Sequence, residues 1–262
     1  MASNLSWQRP NVRFVFSLVT LLLLAGGAQA LEISNKRFSR GQAEELTVRH
    51  LAEVITFGAT TQREQAVRIH DYVRDEIAFG WTSEFHRMSP LDVLEARVGY
   101  CNTKGTLFIA LLRAVGIRAR QHFVDMSSDV LWGLAETDGK FVDHSFAEVY
   151  LDGRWLKVDS YVVDQPLFKR AQRKLENAGR QLGFGIHREG NIEWDGTEDN
   201  FVQFVNDGSV PGFSRRDYGV FKGPADFYGS ARDADRQHLR HVLRSAQIAT
   251  GRAELLRSSI TL

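Results

Sequence analysis

The stretch His144-Ser-Phe-Ala-Glu-Val-Tyr-Leu-Asp-Gly-Arg-Trp-Leu-Lys-Val-Asp159 decides how the rest of the chain is read. Its centre, Asp152-Gly153, is a strong signal for a two-residue hairpin turn. The flanking residues then read as strands, Val142 to Leu151 and Trp155 to Val162, and the turn sets their register. Glu148 faces Lys157 and Tyr150 faces Trp155, an opposite-charge pair and an aromatic pair that support the pairing. Phe146 faces Asp159, while Ala147, Val149, Leu151, Leu156 and Val158 form an aliphatic set on the reverse face. The same register sets His144 opposite Tyr161, with Asp159 as its diagonal neighbour roughly 7–8 Å away at the backbone. That is within reach for a carboxylate to hydrogen-bond an imidazole. A slip of one residue would carry Asp159 to the other face.

A histidine oriented by a carboxylate is half of a nucleophile–base–orienter arrangement. The chain has one cysteine in 262 residues, Cys101, in the run Arg97-Val-Gly-Tyr-Cys-Asn-Thr-Lys-Gly105. From Asn102 onward Leu107, Phe108, Ala110, Leu111, Leu112 and Val115 are apolar nearly all round, as in a buried helix, and Gly116 is placed to end it. Cys101 therefore stands at a helix N-terminus. A thiol there meets the positive end of the macrodipole and free backbone N–H groups, which favour thiolate and can stabilise an oxyanion. Two plainer readings stay open on pattern alone: a lone cysteine as a small buried hydrophobe, and His144 with Asp159 as a polar pair on a strand face.

A single cysteine forbids an intrachain disulfide and any multi-thiolate zinc or iron–sulfur site. Lys plus Arg is 33 and Asp plus Glu is 32, so nothing calls for a polyanionic partner, and the expectation is no nucleic acid. The length fits one large domain or two small ones.

Arg9 and Arg13 precede an apolar run from Phe14 to Ala25, which closes on Gly26-Gly27-Ala28-Gln29-Ala30. Basic, apolar and small-residue segments in that order are the pattern of a secretory signal peptide, with cleavage expected after Ala30. The alternative is an inner-membrane anchor at residues 14–31, the one way this chain would hold a membrane. Either way the body is expected outside the inner membrane, periplasmic or secreted, because the basic flank stays inside. Cleavage leaves 31 basic and 32 acidic residues.

In the body, two amphipathic helices come first, about Gly41 to Thr56 and Thr61 to Ala78. In the second, Ala66, Ile69, Tyr72, Val73 and Ile77 keep three-and-four spacing. Ser89-Pro90 reads as an N-cap with proline at the first helical position, opening a helix through about Arg97. A strand is expected from Ile117 to about Val124. Pro166 to Gln181 reads as a helix with a basic, solvated face, Gly183 to Gly229 as glycine-rich and irregular, and Ala234 to Leu256 as a final helix. The expected division is a signal at 1–30, a core at 31–165 and an extension at 166–262 packed on that core.

Three motifs in this order resemble the transglutaminase-like superfamily of papain-like fold. Gly99-Tyr100-Cys101 with Leu107 to Arg120 is similar to its nucleophile helix and following strand. His144 to Tyr150, then Gly153-Arg154-Trp155 and Val158-Asp159, are similar to its histidine and aspartate strands. The resemblance implies an α+β fold, with N-terminal helices and the nucleophile helix packed on an antiparallel sheet, plus a C-terminal helical extension. It implies Cys101 as nucleophile, His144 as general base and acid, and Asp159 as orienter of the imidazole, with no cofactor. Some members add an upstream aromatic or amide side chain to the oxyanion hole, for which Trp81 and Tyr100 are the candidates. The sequence departs from the common pattern at Phe146, where tryptophan is usual, at Gly105, where alanine or serine is usual, and at Ser160-Tyr161, which replaces a frequent Pro-Thr.

The expected activity is attack on an amide or peptide carbonyl through a Cys101 thioester. Water is the default acceptor, giving a protease or amidase with a protein or peptide substrate. Transfer to an amine, as in a protein-glutamine transglutaminase, and a non-catalytic cell-envelope binding module are the alternatives. No metal site is expected. His238 and His241 lack a third ligand, and Asp195-Gly-Thr-Glu-Asp199 lacks the spacing of a calcium loop.

Overall fold

The computed structural model describes residues 39–136, 141–230 and 249–258. The chain divides into two units, Met1–Glu45 and Leu46–Leu262. The first contributes the opening of helix α1 (Arg40–Thr56). The expected export segment, the expected final helix up to residue 248, and His238 and His241 lie outside the described residues.

Helix α2 (Gln62–Glu76) starts where the Thr61 side chain accepts from the Glu64 N–H. Its stripe of Ala66, Ile69, Tyr72 and Val73 is buried, as its spacing requires. Strand β1 (Ala78–Phe79) pairs in parallel with β2 (Val98–Gly99). Between them lie a 3₁₀ turn at Phe85–Arg87 and helix α3 (Pro90–Ala96). A capping box opens α3: Ser89 Oγ accepts from Asp92 N at 3.3 Å, and Asp92 Oδ2 from Ser89 N at 2.8 Å.

Helix α4 (Cys101–Ala114) is the centre of the core. Leu107, Phe108, Leu111 and Leu112 are fully buried, and truncating any one to alanine would cost about 2–5 kcal/mol. Lys104 on the same helix is also fully buried. Its ammonium donates to the carbonyls of Ile77 at 2.6 Å and Arg74 at 3.4 Å, the orphan acceptors at the end of α2. Burial pulls this amine down to about 7.

The sheet behind α4 is antiparallel, with strand order β5-β4-β3-β8. It comprises β3 (Ala119–Ser127), β4 (Phe141–Leu151), β5 (Arg154–Val158) and β8 (Ser214–Phe221). After β5 come helix α5 (Gln165–Ala178) and the two-residue strands β6 (Leu182–Gly183) and β7 (Ile186–His187); α6 (Pro224–Ser230) follows β8. The α+β arrangement of a nucleophile helix on an antiparallel sheet is the expected one.

The hairpin turn is formed as its chemistry demands, with Asp152 at φ 49° and Gly153 at φ 87°. Glu148 faces Lys157 and Tyr150 faces Trp155, and the aliphatic set on the reverse face is buried. Glu148 also bonds Arg120 Nε at 2.5 Å and His122 Nδ1 at 2.8 Å, partners from β3. Two expectations need correction. Strand β5 ends at Val158 rather than Val162, because Asp159 N turns to the Asn200 carbonyl at 3.1 Å, so neither Phe146–Asp159 nor His144–Tyr161 is a ladder pair. The segment 183–229 is not irregular throughout, since β8 adds a fourth strand to the sheet beside β3.

Residues 249–258 are helical and return to the core. Thr250 Oγ1 accepts from Trp81 N at 2.8 Å and donates to Trp81 O at 3.1 Å. Arg257 Nε lies 2.9 Å from each Asp164 oxygen. Burial alone would raise the Asp164 carboxyl, but Arg257 outweighs it and holds the group below the ordinary carboxylate value.

Candidate active site

Cys101 is the first residue of α4 and only 6% exposed. At that position its N–H has no acceptor within the helix. His144, in β4, and Asp159, just past β5, are both fully buried. His144 Nε2 lies 2.9 Å from Asp159 Oδ2. The other ring nitrogen, Nδ1, is buried and has no formed hydrogen bond. Cys101 is close enough to act on that ring electrostatically. Burial by itself would lower the imidazole's pKa, but the hydrogen bond to Asp159 and the nearby Cys101 sulfur outweigh it, and His144 rises to about 9. Near neutral pH the imidazole is therefore charged between a buried carboxylate and the sulfur.

Asp159 is gripped by more than His144. Its Oδ1 accepts from Val202 N at 2.5 Å and Gln203 N at 3.2 Å, and its Oδ2 from Phe204 N at 2.9 Å. The Phe204 ring stacks along the imidazole, with centroids 6.1 Å apart and planes at 20°. The hairpin pattern located His144 and Asp159 but not residues 202–204, whose hydrogen bonds are made by backbone and leave no side-chain signature. The apolar residues Phe201, Val202, Phe204 and Val205, which follow the polar run 195–200, are the available hint.

Trp81 and Tyr100 emerge side by side from the parallel β1–β2 ladder, which Gly80 N extends by bonding Gly99 O at 2.9 Å. Their rings stack at 5.9 Å, and Phe85 stacks on the other side of Tyr100 at 4.8 Å. The Tyr100 hydroxyl accepts from Asn102 Nδ2 at 3.3 Å. From α6, the Tyr228 hydroxyl accepts from the same Nδ2 at 2.6 Å and donates to Asp143 Oδ2 at 2.5 Å. Burial pushes both phenols well above their ordinary value, keeping them neutral. The departure at Gly105 has a steric cause. A Cβ there would lie 2.8 Å from Gln121 Nε2 and 3.0 Å from the Tyr161 hydroxyl.

What this arrangement can do is acyl chemistry: a thiol at a helix start, a charged imidazole to shuttle its proton, a buried carboxylate to orient that imidazole, and backbone donors for an oxyanion.

Residues 49–160 match the model of the transglutaminase-like superfamily. No curated protein matches the chain. Among solved structures, a candidate cysteine protease from Cytophaga hutchinsonii is 23% identical with a TM-score of 0.34, covering 43% of this chain and 36% of that one. A candidate protease from Parabacteroides distasonis is 17% identical with a TM-score of 0.34, covering 51% and 25%. A TGase is 15% identical with a TM-score of 0.33, covering 53% and 37%. The chain thus spans between a quarter and a little over a third of these structures' lengths.

Proposed function

Because residues 49–160 match the model of the transglutaminase-like superfamily, we propose an exported thiol enzyme that cleaves an amide or peptide bond through a thioester at Cys101. The observation that carries it is the buried His144–Asp159 contact of 2.9 Å with Nδ1 left for the sulfur. Export rests on the order of basic, apolar and small residues before Leu31.

The sulfur attacks the carbonyl carbon, and the oxyanion is stabilised by N–H groups at the start of α4, with Trp81 and Tyr100 lining the adjoining wall. The tetrahedral adduct collapses, the C–N bond breaks, and the His144 imidazolium gives its proton to the departing amine. Neutral His144 then takes a proton from water, hydroxide adds to the thioester carbon, and the acid leaves as the sulfur is regenerated beside a protonated His144. Proton transfer of this kind contributes about 10²–10⁴-fold, and each oxyanion donor about 10²–10³-fold.

A second reading, transfer of the acyl group to an amine, is favoured by the burial of Cys101, which limits water at the sulfur. Hydroxylamine added to a peptide-amide substrate separates the two: hydroxamate as the main product points to transfer, free acid to hydrolysis.

The test of the thiol–imidazole pair is alkylation by iodoacetamide across pH. Cys101 in the wild type reacts appreciably at about pH 6–7, where free thiols react slowly, and His144→Ala abolishes that neutral-pH reaction. Identical profiles for the two proteins would remove the catalytic reading.

A further inference from the structure

The nucleophile and the imidazole stand on different elements, and something must set their separation. Each has a buried polar chain neighbour. Asn102 follows Cys101 and Ser145 follows His144, and Ser145 Oγ donates to Asn102 Oδ1 at 2.7 Å. Gln121 closes the triangle from β3. Its Nε2 donates to Ser145 Oγ at 2.9 Å and to the Asn102 carbonyl at 3.1 Å. Asn102 and Ser145 are fully buried and Gln121 is 2% exposed. We infer that Asn102, Ser145 and Gln121 are positioning residues that hold the Cys101 sulfur and the His144 imidazole at reacting distance by tying α4 to β4 through β3.

Three observations carry this. The hydrogen bonds run between residues adjacent in sequence to the reacting pair, so a shift in any of them moves that pair directly. The network has a direction that fixes the Asn102 amide. Oδ1 accepts from Ser145 Oγ and, at 3.7 Å, from the Cys101 thiol, while Nδ2 donates to the Tyr100 and Tyr228 hydroxyls and, at 3.4 Å, to Asp143 Oδ2. Finally, α4 gives up a side chain to admit it. Gly105 leaves the space that the Gln121 amide and the Tyr161 hydroxyl occupy, and a Cβ there would collide with both. Apolar residues at 102, 121 and 145 could join the same elements, but they would not fix one relative position, whereas a buried network with its donors and acceptors matched does so.

The inference rests on the proposed thiol–imidazole chemistry and is tested so that the two can fail separately. The probe is iodoacetamide, read as the alkylation rate of Cys101 from about pH 5 to 9, with melting temperature measured alongside. Ser145→Ala lowers the rate at about pH 7 by roughly tenfold or more, because a misplacement of about 1 Å can cost about 10²-fold. Ser145→Thr, which keeps the hydroxyl, returns it to within about twofold. Gln121→Met, with no donor, lowers it by a smaller factor, because the Ser145–Asn102 bond remains. A Ser145→Ala protein with the wild-type rate and profile, while His144→Ala loses both, overturns the positioning role and leaves the chemistry standing. If His144→Ala is itself unchanged, the chemistry falls and the positioning role with it. Should Ser145→Ala not fold, Gln121→Met decides alone, and a wild-type rate there overturns the inference.

Discussion

Replacing Asp159 by asparagine changes one oxygen to an amino group and leaves the volume almost untouched, so the result reports on hydrogen bonding rather than packing. The carboxylate accepts four bonds, two at each oxygen: Val202 N and Gln203 N at Oδ1, and His144 Nε2 and Phe204 N at Oδ2. Whichever way an amide is turned, its amino group meets two donors in a site closed to water. In the better orientation Nδ2 faces Val202 and Gln203, and the contact with His144 survives without its charge. Two bonds to an ionised acceptor are lost at about 1.5–3 kcal/mol each, so the loss is about 3–6 kcal/mol. For a domain of this size each kcal/mol shifts the melting temperature by about 2–4 °C, and a fall on the order of 10 °C is expected by calorimetry. The imidazole also loses the carboxylate that chiefly raises it, so the charged pair with Cys101 is depopulated and alkylation near pH 7 slows at least about tenfold. A variant that melts within about 1 °C of the wild type and alkylates at the same rate would refute the four-bond account of Asp159.

Stability against pH should expose two buried bases with opposite slopes. His144 is raised from 6.5 to about 9, so its contribution is complete below pH 6.5 and is lost as pH rises through 9. Lys104 is lowered from 10.5 to about 7, so folding gains stability as pH rises from about 7 toward 10.5. Each slope is at most about 1.4 kcal/mol per pH unit. Between pH 7 and 9 they offset, and denaturant midpoints of the wild type should stay nearly flat. His144→Gln should rise over that window and Lys104→Met should fall; parallel flat curves for both would contradict the assignment. Gly105→Ala drives a Cβ against the Gln121 amide and the Tyr161 hydroxyl and should cost about 1–3 kcal/mol. Gln121→Ala in the same chain should recover part of that loss, and strict additivity in the double-mutant cycle would show that the two sites do not touch.

The hairpin was legible because turn chemistry and alternation are both local: Asp152-Gly153 supplies the positive φ values, and the register follows. What ends β5 is not local. The acceptor for the Asp159 N–H is the Asn200 carbonyl, and no pattern around residue 159 announces it. Strand β8 escaped for a related reason. Its Ser-Arg-Arg-Asp start has no alternation, and its pairing with β3 is shifted between Phe123 and Val124 and again between Val124 and Met126. Glu148 faces Lys157 but takes Arg120 and His122, because the third strand brings two donors to the same face. Cys101, His144 and Asp159 could be named in advance because side chains carry them. The amides of residues 202–204, the Asn102–Ser145–Gln121 network and the buried Lys104 depend on how distant segments meet.

The grip of residues 202–204 on Asp159 bears on when the site comes into being during synthesis. All three residues of the proposed triad are translated well before Phe204, so for that interval the carboxylate has water and not amides as its partners. Nothing then holds the imidazole in one orientation. A chain stopped at residue 160, where the family match ends, would contain every side chain of the triad without the backbone that completes it. On the proposed mechanism the thiol of a nascent or truncated chain is expected to be a poor nucleophile until the later segment is in place.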